Sequence, residues 1–346
     1  MGLPRKQYVK DGQEGVFHCF SRCVRRAFLC GFDPVTQRDF SHRKALLLGR
    51  LRFLASVFAV DVCAYAILEN HYHLILRLLP QLAAAWSSRQ VALRWLTLFP
   101  RRDRLTGDPL PPTEMQILSL VNNPERIEEL RKRLCSLSWF MGRLNEFVAR
   151  AANKEDNVKG RFWESRFKCQ ALLDDAAIAA CMVYVDLNPI RAGLAATPEE
   201  SDFTSIQERI RAWRDETATV VSGASHLVDS PDAAPAGWLC PIQSASDRPG
   251  ILRIPAAEYF DLVDRSGRFL RSGKRGAIDA GLAPILLRIG ANPDAWLDTI
   301  TQFESRFRLA AGLTSSLRGF ADQLGRRWLA GVAAARIAFA PKAQSA

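Results

Sequence analysis

No uninterrupted apolar run in these 346 residues approaches the roughly 20 needed to cross a bilayer, which excludes an ordinary membrane-spanning helix. The opening Met1-Gly2-Leu3-Pro4-Arg5-Lys6 lacks the apolar core of a secretory signal. It also lacks the Ser or Thr at residue 6 that would suggest myristoylation of Gly2. A cytoplasmic protein is the expectation. The eight cysteines are scattered and none forms Cys-x-x-Cys, so neither a zinc site nor a disulfide frame is expected. Internal repeats and low-complexity tracts are absent. Acidic residues are outnumbered, 36 against 47 Lys and Arg, for a net charge of +11. That balance favours a polyanionic partner, with nucleic acid first and an anionic membrane second; a solvated basic surface carries the same charge.

Hydrophobic content of 48% and charged content of 24% are those of a soluble globular protein. The length suits two domains or one decorated domain. Residues 16–24 alternate as a strand, 40–60 carry apolar residues at helical spacing, 62–68 read as a second strand and 70–78 as a third. Strand, helix, strand, strand opens a ferredoxin-like α+β unit, an antiparallel sheet with helices. Residues 1–215 are read as this core, with a helical insertion at about 80–157. Residues 216–253, rich in small residues, Pro and Asp, read as a linker or surface loops. Residues 254–346 read as a helical C-terminal module.

Histidine is scarce, five in the chain, yet two stand one residue apart in Asn70-His71-Tyr72-His73-Leu74. On a strand, His71 and His73 face one way and Tyr72 the other. The pair reads either as two imidazoles for one divalent cation or as a strand that happens to carry two histidines. His18 reads as a strand histidine with a structural partner, or as a residue adjacent to the site. Arg22 and Arg25 read equally as phosphate contacts or as a solvated strand end. Gly160-Arg161-Phe162-Trp163-Glu164-Ser165-Arg166-Phe167-Lys168 interleaves rings with cations. That suits a single-strand groove, or an amphipathic strand with a core face. Asp174-Asp175 offers a cap for a helix that Pro189 stops and Gly193 turns. On it, Tyr184 and Asn188 are four apart and share a face.

Together, the His71-Tyr72-His73 segment, the stretch 160–168 and Tyr184-Val185-Asp186-Leu187-Asn188-Pro189-Ile190-Arg191-Ala192-Gly193-Leu194 resemble the HUH single-tyrosine transposases, including the REP-associated tyrosine transposases and related insertion-sequence enzymes. The likeness covers residues 15–79 and 160–207. Tyr72 replaces the usual aliphatic residue between the histidines, and Leu68-Glu69 the frequent Met-Pro or Leu-Pro. The resemblance implies that His71, His73 and Asn188 bind Mg²⁺ or Mn²⁺ and that Tyr184 is the nucleophile. It implies nicking and rejoining of single-stranded, hairpin-bearing DNA through a 5′-phosphotyrosine, with no membrane partner. Arg22, Arg25, Arg161, Trp163, Arg166, Lys168 and Arg191 are the expected nucleic-acid contacts. Such enzymes include monomers and dimers, so the oligomeric state is left open. A non-catalytic nucleic-acid-binding protein on the same scaffold, or a relaxase- or replication-initiator-like nickase, are the alternatives.

Overall fold

A computed structural model describes residues 3–10, 12–24, 29–33, 37–222, 236–245, 248–272 and 283–339. The first alternating run forms β1 (Gly15–Arg22). Helix α1 (His42–Val57) follows and buries Leu47, Leu51 and Leu54, one apolar stripe. Strands β2 (Val60–Ile67) and β3 (His71–Leu78) are antiparallel, with a bulge between Val62 and Ala64. Four short helices lead to α2 (Leu137–Glu155) and then to β4 (Lys168–Leu172). Both β3 and β4 pair antiparallel with β1, which is therefore central.

The strand order β2-β3-β1-β4, with α1 and α2 in the two crossovers, is a ferredoxin-like α+β arrangement. Helices α1 and α2 pack on each other. Asn145 of α2 meets Tyr72 and Ser21, which sit on the face opposite the histidines. So the later part of the expected insertion, α2, supplies the second crossover helix of the core. Only the stretch before it is additional.

The other sheet face is covered by α3 (Asp175–Asp186) and the short α4 (Asn188–Arg191). Asp174 caps α3 by accepting from Ala177 N–H at 3.1 Å, and its second oxygen accepts from Leu313 N–H at 2.6 Å. Gly193 has φ +72°, the left-handed conformation that ends the helix.

Helix α5 (Ser205–Ser222) extends beyond residue 215. Within the stretch expected to be linker, Leu239, Cys240, Ile242, Ile251 and Leu252 are buried, and Leu239 bridges Val62 at the sheet edge. The C-terminal residues are helical as expected, with α6 (Ala256–Ser272), α7 (Trp296–Thr301) and α8 (Phe303–Arg306) among them. They are not set apart from the core: α6 and α7 lie against α3, and β5 (Ala310–Ala311) adds a parallel fifth strand beside β4. Among the described residues no helix is long and apolar enough to cross a membrane.

Candidate active site

Pairing of β1 with β3 sets Phe20 opposite His73 and Arg22 opposite His71. His18, His71 and His73 therefore share the sheet face under α3. His71 and His73 have ring centroids 5.0 Å apart. Tyr184 presents its ring edge-on to His73 at 5.5 Å and to His18 at 5.9 Å. The sheet histidine and the helix phenol, 111 positions apart in sequence, do meet.

His73 is held by a hydrogen-bond chain that fixes its tautomer. The backbone oxygen of Phe307 can only accept, so Gln170 donates to it through Nε2 and leaves Oε1 as an acceptor. His18 then donates from Nδ1 to that oxygen at 3.2 Å, which makes its Nε2 the acceptor. His73 in turn donates from Nδ1 to His18 Nε2 at 2.9 Å. The remaining nitrogen, His73 Nε2, carries a lone pair and is buried without a partner. His71 likewise donates from Nδ1 to Asn70 Oδ1, which leaves the lone pair on its Nε2.

Electrostatics keep these rings neutral. Burial lowers the His18 pKa to about 4, against the bond to Gln170. Burial, then the Arg22 cation, lowers His71 to about 4. His73 is pushed well below the usual imidazole range by burial first and by its neighbours His18 and His71 next. A neutral imidazole is the form that binds a metal.

Tyr184 is buried, 6% exposed, and donates its hydroxyl to Glu304 Oε2 at 3.2 Å. Burial and the Glu304 charge push the phenol up to about 12, while Arg191 opposes them. Arg191 stacks its guanidinium 4.8 Å from the Tyr184 ring centre and donates to Thr301 O at 2.8 Å. Asn188 is buried with Nδ2 unpartnered. Glu304 was not among the expected residues. It sits on the four-residue helix α8, and no motif marks it.

The other expected contacts divide. Arg22 is exposed at the end of β1, beside the histidines. Arg166 and Lys168 are exposed, with Lys168 Nζ 5.3 Å from the Phe20 ring centre. Arg161 is exposed on the loop before β4. Trp163 corrects its expected role. It is 8% exposed, donates Nε1–H to Asn145 O at 2.9 Å and packs edge-on against Tyr72 at 5.6 Å. Its ring belongs to the core on the far side of the sheet and is not available to a base. Arg25 lies outside the described residues.

For a divalent cation, the neutral His71 and His73 rings with Nε2 lone pairs, and the buried Asn188 amide, are suitable donors. Among the described residues, no three or more His, Cys, Asp or Glu side chains are grouped to hold an ion. A bound ion would therefore take part of its coordination from outside this set.

No protein-family model matches the chain, and no curated protein matches it. A solved structure of a REP-associated tyrosine transposase bound to a REP hairpin is similar at 13% identity, over 73% of this chain and 99% of that one, with a TM-score of 0.35.

Proposed function

We propose that this protein nicks and rejoins single-stranded DNA through a covalent bond to Tyr184. The observation that carries the reading is the phenol of Tyr184 lying edge-on, 5.5 Å between ring centres, to a histidine whose outer nitrogen is bare and buried. A structural tyrosine does not need a bare, buried imidazole nitrogen beside it; a carboxylate at the hydroxyl, by contrast, is shared with Tyr65 and Tyr259.

In this reading Tyr184 Oη attacks the phosphorus of a phosphodiester. The P–O3′ bond breaks, the 5′ side becomes a phosphotyrosine, and the 3′ oxygen leaves and takes a proton from water. Glu304 Oε2 takes the phenol proton as the new bond forms. Arg191, stacked on the phenol ring, offsets negative charge at the phenol oxygen. Attack by a 3′-hydroxyl, whose proton passes to water, reverses the step and rejoins a strand as the P–O bond to Tyr184 breaks and Glu304 returns the phenol proton. His71, His73 and Asn188 would hold Mg²⁺ or Mn²⁺, which when bound supplies Lewis-acid stabilisation of charge on the phosphate oxygens. The relay through Gln170 and His18 keeps His73 in the ligating tautomer.

The test is a covalent-adduct assay on hairpin-bearing single strands with Mn²⁺. Wild type is expected to give a slow-migrating protein–DNA species, and Tyr184→Phe none. An adduct that persists in Tyr184→Phe overturns the nucleophile. A second reading, a binding protein without chemistry, draws on the burial of Tyr184 and the high pKa of its phenol. Tight binding with no adduct from wild type would favour it.

A further inference from the structure

A cleft of about 1270 Å³ runs between the N-terminal segment, β4 and the C-terminal residues around 326–330. Its lining includes Lys6, Arg166, Lys168, Arg308, Arg326 and Arg327. None of these six has a carboxylate partner among the described residues. Many other arginines of the chain do, from Arg38 and Arg43 to Arg288 and Arg306. Among the described residues the one acidic side chain on the lining is Glu304. Its carboxylate is engaged by the Tyr184 hydroxyl. Trp328 lies at the rim with 72% of its surface exposed, an unusual position for the largest side chain. Phe20, which packs on His18 and His73, and Gln170, which bonds to His18, also line the cleft.

We infer that this cleft is the track for an unpaired nucleic-acid strand, with Arg326 and Arg327 on its phosphates and a base stacked on Trp328. Unpaired cations in a concave surface lower the cost of a polyphosphate, and a free ring face suits a base that is not stacked in a duplex. A duplex has no unstacked base to offer Trp328. The track rests on the reading of Tyr184 as nucleophile, because Glu304, which accepts from that hydroxyl, lines the cleft.

The experiment is fluorescence anisotropy of the full chain with a labelled 20-nucleotide single-stranded oligodeoxynucleotide, without metal, over a salt series. Arg326→Gln with Arg327→Gln should reduce the slope of log affinity against log salt by about 1.4, two phosphate contacts at about 0.7 each. Trp328→Ala should weaken single-strand binding about tenfold, with no change for duplex of the same sequence. Arg101→Gln with Arg104→Gln, on an exposed loop outside the cleft, should change neither. All four arginines and Trp328 are exposed, so the variants are expected to fold. Wild-type slope and affinity in the cleft variants, or an equal loss in the loop variant, overturn the track. An adduct from wild type with unaffected cleft variants removes the track alone. Affected cleft variants with no adduct from wild type remove the nucleophile alone.

Discussion

His73 donates from Nδ1 to Nε2 of His18 across 2.9 Å, and this bond decides which nitrogen of His73 is left bare. Neutral imidazole has one donor and one acceptor nitrogen. A backbone carbonyl at Phe307 sets the direction of the whole chain of bonds, since it can only accept. In the proposed reading His18 acts through His73 as a positioning residue. His18→Phe keeps a ring of similar bulk but removes the acceptor. Mn²⁺ affinity is expected to fall about 10- to 100-fold, the usual cost of losing such an outer partner. Adduct formation should recover at high Mn²⁺. Titration of the variant by calorimetry checks this, and wild-type affinity would show the relay to be idle.

Glu304 both accepts from Tyr184 and raises its pKa. Glu304→Gln removes the charge but keeps the shape. The Tyr184 phenol should then ionise at lower pH than its present value of about 12. Ultraviolet titration reads this, as the difference from Tyr184→Phe in a chain with five tyrosines. If Glu304 is the base, adduct formation should slow by about 100-fold or more, the ordinary contribution of a positioned proton acceptor. A lower phenol pKa with unchanged rate would reduce Glu304 to a hydrogen-bond partner.

Trp163 distinguishes packing from recognition. Its ring is buried against Tyr72, and its indole N–H is bound by Asn145. Trp163→Ala should lower stability by about 3–5 kcal/mol through the lost contacts and the cavity. Single-strand affinity should be unchanged below the melting transition. Denaturant unfolding and anisotropy on the same preparation check both halves.

What could be read from the residues depended on distance along the chain. The shared face of His71 and His73 follows from the two-residue period of a strand, and Asp174 and Gly193 bound α3 and α4 by local backbone chemistry. The break expected at Pro189 falls instead at Leu187, so that Tyr184 and Asn188 stand on successive helices with Pro189 in the first turn of α4. The contact between Glu304 and Tyr184 spans 120 positions and has no local signal. Helix α2 looked like part of an insertion because several helices separate it from β3, so nothing in its own pattern shows that it closes the core. The pairs Leu239-Cys240 and Ile251-Leu252 are too short for a period, and only their burial, with Leu239 bridged to Val62 of the sheet, distinguishes them from linker. Trp163 stood in a pattern that fits a core face and a base-stacking face equally well. Burial decided between them.

Asp186 ties the α3–α4 junction to the C-terminal helices, and its protonation should make stability depend on pH. It is fully buried and accepts from Ser205 Oγ at 2.6 Å and from Tyr259 Oη of α6 at 2.5 Å. Burial outweighs these bonds and raises its pKa from 3.8 to about 6. Below the unfolded value the group is protonated in both states and costs nothing. Between about 4 and 6 the folded chain holds a proton that the unfolded chain has released, so stability falls as pH rises through this window. Above it the full penalty applies, about 3 kcal/mol for a shift of some two units. Asp186→Asn is nearly isosteric with the protonated acid, and both hydroxyl partners can rotate to suit it. Urea unfolding of the two proteins should give similar stabilities near pH 4, with the variant gaining about 3 kcal/mol on wild type by pH 7. A constant difference across that range would mean that Asp186 keeps an ordinary carboxylate pKa despite its burial.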